Sequence, residues 1–140
     1  MNNNGDAGGR LNHVVVALVT SLVVLTSTAA HAAMLASGPV FGGNSQDSAH
    51  CYAFNTSSTA TRIISAAIRD QSGAVVSGTN NCNGVILNQF QTCNIDVGPL
   101  SIQTYECNFQ TGSTDASSRL RGELDIRDAN GNVLVNSELR

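Results

Sequence analysis

Lysine and tryptophan are missing from this 140-residue chain, and only 12% of its residues carry charge. Its cations are seven arginines, set singly or in pairs, against ten carboxylates. A nucleic-acid binder needs a basic stripe to meet phosphates. A net charge of −3 with no cationic cluster excludes that class. Long Ala/Glu/Lys/Leu stretches are also missing, which weighs against a helical protein. Low charge combined with 41% hydrophobic residues excludes a disordered chain.

Motifs of chemistry are as scarce. There is no Gly-x-Ser-x-Gly elbow for a serine nucleophile and no glycine-rich phosphate loop. His50 is the only histidine beyond residue 31. It reads as a plain strand residue next to a structural cysteine rather than a general base. A zinc site built with His50 lacks the Cys-x-x-Cys pair such sites use. Glu123 and Asp125 alternate beside Arg121 and Arg127, which reads as ion pairing on a solvated face rather than acid–base work. Asp128-Ala129-Asn130-Gly131 opens like a calcium loop but lacks the distal glutamate, so it reads as a turn. The expectation is no catalytic residue, no cofactor and no metal, and the chain reads as not an enzyme.

What is present begins with a leader. Arg10 precedes an apolar run from Val14 to Leu25, and the small-residue tail ends in Ala30-His31-Ala32. Positive end, apolar centre and Ala-x-Ala site together predict a secretory signal over 1–32, removed before Ala33. The competing expectation is an uncleaved anchor. No membrane contact is expected after cleavage, and the product is expected to be secreted or periplasmic.

All four cysteines, Cys51, Cys82, Cys93 and Cys107, follow the leader. An exported chain meets an oxidising compartment, where an even count points to bridges. Three pairings are open. The strand layout favours Cys51–Cys107 outside Cys82–Cys93, because Cys82 and Cys93 flank a short hairpin while Cys51 and Cys107 each sit in a strand.

Alternation predicts the strands. In His50–Asn55, Tyr52 and Phe54 share one face, with Cys51 and Ala53 on the other. Over Thr61–Arg69, Ile64, Ala66 and Ile68 are expected on one face. Asp70-Gln71-Ser72-Gly73 then turns the chain so that Ala74–Ser77 returns as a hairpin partner. Val85–Leu87 and Cys93–Val97 form a second pair of strands. Ser101–Phe109 alternates throughout, with Gln103, Tyr105, Cys107 and Phe109 together. Gln110–Ser118 reads as a polar loop and a candidate contact surface. Leu120, Gly122, Leu124 and Ile126 point inward, and Asn130-Gly131 marks the last hairpin, to Val133–Val135. The segments Ile68–Val76 and Ile126–Leu134 echo each other, one hairpin solution used twice. Asn55-Thr56-Ser57 also spells a glycan acceptor.

The pieces Cys51-Tyr52-Ala53-Phe54-Asn55, Asn81-Cys82-Asn83-Gly84, Thr92-Cys93, Tyr105-Glu106-Cys107 and Leu120–Asp128 resemble a group of small secreted bacterial proteins. The likeness covers most of Ala49–Arg140. It implies an immunoglobulin-like β-sandwich and carries no catalytic residue. That group is expected to place Pro-Gly in the turn before the third cysteine, where this chain has Asn88-Gln89-Phe90-Gln91.

The sequence therefore predicts an all-β, antiparallel immunoglobulin-like sandwich of about seven to eight strands. It divides into a signal peptide over 1–32, an N-terminal arm or edge strand over 33–49, and the sandwich over 50–140. The expected role is an exported non-enzymatic module, structural or interacting, whose partner is an unknown protein or surface polymer. The alternative is a subunit of a surface assembly joined by strand addition, as in pilins, with Ala33–Gly43 as the donor. Oligomeric state is not legible.

Overall fold

The structure is a computed structural model that describes residues 32–112 and 116–140. The leader up to His31 lies outside the described residues, as does the centre of the Gln110–Ser118 segment. Among the described residues no helix is long and apolar enough to cross a membrane.

Nine strands occur in this region: β1 (Ala33–Ala36), β2 (Ser48–Asn55), β3 (Thr61–Asp70), β4 (Thr79–Asn80), β5 (Ile86–Leu87), β6 (Thr92–Val97), β7 (Tyr105–Thr111), β8 (Leu120–Arg127) and β9 (Val133–Glu138). The count exceeds expectation because β1 pairs as an edge strand and a two-residue piece, β4, is added. One helical turn, α1 (Ala116–Arg119), precedes β8. All pairings are antiparallel and make two sheets, ordered β1-β7-β3-β5 and β4-β6-β2-β8-β9.

The two sheets pack as a sandwich. Inward residues alternate as a half-buried sheet requires. Tyr105, Cys107 and Phe109 of β7 are buried with Leu35, Ile63 and Ile68. Cys51, Ala53, Ile95, Val97, Leu124 and Ile126 are buried from the five-stranded sheet. Each large apolar side chain so covered stabilises the fold by about 1.5–3 kcal/mol. The Cys51–Cys107 disulfide crosses this core, joining β2 of one sheet to β7 of the other with Cα atoms 6.3 Å apart.

The second disulfide, Cys82–Cys93, ties the asparagine-rich loop after β4 to β6. That loop closes an exposed stretch of β3. The Ala66 N–H donates to Asn83 Oδ1 at 2.7 Å, and Asn80 Nδ2 donates to the Ala66 carbonyl at 2.8 Å. Side-chain amides thus satisfy backbone groups that a bare edge would offer to another chain. Asn81 fastens the same loop to Asn94 through both its side chain and its backbone.

Four expectations change. A bulge between Ile63 and Ser65 inserts a residue, so Ile64 turns outward, 45% exposed, while Ile63 joins Ala66 and Ile68 inside. Ser101–Thr104 is not strand: Gln46 Nε2 holds the Ser101 and Gln103 carbonyls, and pairing begins at Tyr105. Ala74–Ser77 returns only as an isolated bridge, Arg69 to Val75. The Gln110–Ser118 segment is not wholly loop, since β7 runs through Thr111 and α1 starts at Ala116.

The internal echo is a shared turn. Gly73 and Gly131 both have positive φ (82° and 83°), and each donates its N–H to the carbonyl of an aspartate three residues earlier. Asp70 Oδ1 accepts from the N–H groups of Ser72 and Ala74, and Asp128 Oδ1 from those of Asn130 and Asn132. These bonds favour the carboxylate form, Asp70 chiefly through the Ser72 hydroxyl and Asp128 chiefly through the Asn132 side chain, and lower both pKa values from 3.8. Depressed carboxylates stabilise the fold above their ordinary value and lose that contribution as pH falls through the depressed one. Carboxyl NMR titration should place both midpoints below 3.8. Asp128→Ala should speed exchange of the Asn130 and Asn132 amides; unchanged exchange contradicts the account.

Replacing Cys82 and Cys93 together by serine should lower stability by about 3 kcal/mol, in the chain-entropy picture. Hydrogen exchange should show the Ala66 amide losing protection in the same variant. Full protection there would mean that the asparagine loop holds without its bridge.

Candidate functional site

The outward face of the five-stranded sheet carries the polar constellations of the molecule. Parity puts Ser48, His50, Tyr52 and Phe54 of β2 there. The register aligns them with Thr92, Asn94 and Asp96 on β6 and with Arg121, Glu123, Asp125 and Arg127 on β8. β9 adds Asn136 and Glu138, opposite Asp125 and Glu123.

At one end of the face His50 is held on both ring nitrogens. Its Nδ1 lies 2.7 Å from Asp96 Oδ1 and its Nε2 lies 3.1 Å from Ser48 Oγ. Asn94 Nδ2 donates to the other Asp96 oxygen. Serine, imidazole and carboxylate follow one another in the order of a hydrolytic relay. Acyl transfer also needs convergent N–H donors for the oxyanion. β2 is laddered on both sides, to β6 and β8, and the Asp47 N–H donates to the Arg127 carbonyl. His50 is thus the centre of a hydrogen-bonded row rather than the plain strand residue expected.

Next to it, Asp125 accepts two bonds from Arg127, Nε at 2.8 Å and Nη2 at 2.9 Å. Hydrogen bonding to Asp125 raises the Arg127 pKa above its ordinary value. Asp125 is only 4% exposed, which corrects its reading as a solvated surface carboxylate. It does point outward, but the folded guanidinium and neighbouring strands cover it. Glu123 has separate partners. Its Oε1 accepts from Asn136 Nδ2 at 2.7 Å, and its Oε2 lies 3.4 Å from the Tyr52 hydroxyl. The two carboxylates therefore do not act on a common point. No three His, Cys, Asp or Glu side chains converge on a metal position among the described residues.

At the other end lies an open groove of about 590 Å³, lined by Tyr52, Phe54, Thr92, Arg121, Glu123 and Glu138. Gly122 also borders it, and a Cβ there would collide with the Tyr52 carbonyl oxygen and the Leu139 side chain. Beside it, Phe90 stacks on Phe54 with ring centroids 6.2 Å apart and planes inclined by 19°. Phe90 is 67% exposed and has φ of +62°, a left-handed conformation that bulky residues avoid. The turn closes by a Gln91 N–H to Asn88 carbonyl bond and is tied to β2 by the Phe90 N–H to Asn55 carbonyl bond. Phenylalanine thus occupies a turn position whose backbone conformation glycine would adopt without strain.

Asn55 itself is fully buried, and its Nδ2 donates to the carbonyls of Thr59 and Leu87. That nitrogen is committed to the fold, so the acceptor sequence at Asn55 is structural.

Neither the histidine row nor the aromatic pair was found from sequence. Ser48 and His50 share a face by parity alone, but Asp96 joins them only once the β2–β6 register is known. Phe90 lay in a stretch read as a turn. Its signal was a large aromatic where turn chemistry wants glycine. Comparison with known proteins gave no match: no family model, no curated protein and no solved structure matches the chain.

Burial first, and then the Glu123 charge, raise the Tyr52 phenol above its ordinary pKa of 10.0. Glu123→Gln should bring that midpoint down part of the way, as read by NMR of labelled tyrosine. A midpoint that does not move would mean that Glu123 does not face the phenol in solution.

Proposed function

We propose that the protein is an exported, immunoglobulin-like β-sandwich that works by contact rather than turnover, in the periplasm or outside a bacterial cell. The contact surface is the outward face of the five-stranded sheet, and the partner is a protein or a surface polymer. One observation carries this reading: the exposed Phe90, held in a strained backbone conformation beside an open groove. Strain of this kind costs about 1–3 kcal/mol and clusters at sites that bind. Export is supported by the leader and by four cysteines all engaged in bridges.

The Ser48–His50–Asp96 row is the strongest argument for an enzyme, and it supplies the test. The oxidised mature domain should hydrolyse p-nitrophenyl acetate no faster than its Ser48→Ala variant. Turnover that disappears in both Ser48→Ala and His50→Ala would overturn the contact reading. Intact mass of exported material should correspond to a chain starting at Ala33; the full-length mass would overturn export by cleavage.

A second reading, assembly by strand addition, is favoured by the position of β1. That strand forms the edge beside β7, with Leu35 buried and Ala33–Ala36 paired to Thr111–Asn108. A second copy's β1 would fit the same register. Docking in cis, reinforced by reciprocal backbone bonds between Ala36 and Arg140, supports the monomer instead. Size-exclusion chromatography should give one monomeric peak; a ladder of oligomers that vanishes when residues 33–36 are deleted would favour assembly.

A further inference from the structure

We propose, building on the contact reading above, that the groove beside Phe90 binds a neutral saccharide chain. The groove lies over β2, β8 and β9, where β2 and β8 are paired on both sides. A partner there meets side chains rather than backbone, so peptide binding by an added strand does not suit it. What it meets is aromatic surface bordered by hydrogen-bonding groups. Tyr52 and Phe54 line the groove, and the exposed Phe90 ring stacks on Phe54 just outside that lining.

A pyranose ring has the complementary chemistry. One face is a patch of C–H groups that stacks on an aromatic ring, and its rim is hydroxyls that donate and accept. The groove offers Glu123 and Glu138 as acceptors and the Thr92 hydroxyl as donor or acceptor, while the Arg121 guanidinium, which already donates to the Leu120 carbonyl, borders it. Glu123 is already oriented by Tyr52 and Asn136, which reduces the ordering cost of binding. Two carboxylates against one guanidinium disfavour a polyanion such as a sulfated glycan or nucleic acid. The polar rim likewise disfavours a lipid chain.

The turn chemistry gives an independent reason. Glycine adopts the +62° φ of Phe90 without strain. A stacked aromatic pair contributes only about 0.5–1.5 kcal/mol, comparable to the strain it offsets. Stability alone therefore does not account for phenylalanine at this position. A ligand-facing ring does.

Calorimetric titration of the oxidised mature domain with cellohexaose and chitohexaose tests this, with heparin as the polyanion control. Binding of at least one neutral hexasaccharide at up to millimolar concentration is expected, and none of heparin. Phe90→Gly should weaken that binding about two- to tenfold, the range that removing one aromatic face implies, while leaving the melting temperature unchanged or raised. Glu123→Gln should weaken it as well. Failure of both neutral oligosaccharides to bind, binding of heparin alone, or binding that Phe90→Gly leaves intact would each overturn the inference. Such failures leave the contact reading standing, whereas hydrolysis dependent on Ser48 and His50 would end that reading without touching the saccharide result.

Discussion

The sandwich depends on one covalent constraint, the sulfur bridge from Cys51 to Cys107. β2 is the middle strand of its sheet, and β7 is an inner strand of the other. Both cysteines are wholly buried. Pinning two interior strands across the core fixes which residues of each point inward, because side-chain parity along a strand leaves no freedom once one position is set. With Cys51 and Ala53 inside, Ser48, His50, Tyr52 and Phe54 face out. The polar row, the groove and the aromatic pair all follow from that choice. A loop of this length also restricts the unfolded chain, by about 4 kcal/mol in the entropic picture.

Legibility in the sequence follows the same physics. Where a strand is uninterrupted and half-buried, as in β2, β6 and β8, alternation gives the inward set directly: Cys51 and Ala53, Ile95 and Val97, Leu124 and Ile126. The two Asp-x-x-Gly turns are legible because their bonds are local. Alternation fails at Ile64, where a bulge shifts parity by one and nothing in Ile63-Ile64-Ser65 announces it. It also fails to predict that the outward Asp125 is covered, since cover comes from a side chain folding back across the sheet. The cysteine spacing leaves three pairings open; the expected strand layout favours one of them, the one in which β2 and β7 meet across the core. The candidate site was the least legible part, because Ser48, His50 and Asp96 come together through a register between distant strands.

The outward face combines two arrangements that differ in chemistry. Around His50 and Asp125, polar groups satisfy one another, which rigidifies the sheet surface and leaves little to offer a partner. Around Phe90 and Tyr52, aromatic surface stays exposed and the polar groups stand at a rim. The asparagine loop, held by Cys82–Cys93, protects a vulnerable stretch of the other sheet.

Peptide mapping of protein recovered from its native source under thiol-blocking conditions, digested without reduction, tests the central constraint most directly. The account predicts one cross-linked peptide pair joining Cys51 to Cys107 and another joining Cys82 to Cys93. Recovery of free thiols at Cys51 and Cys107, or of either one bridged to Cys82 or Cys93, would contradict it.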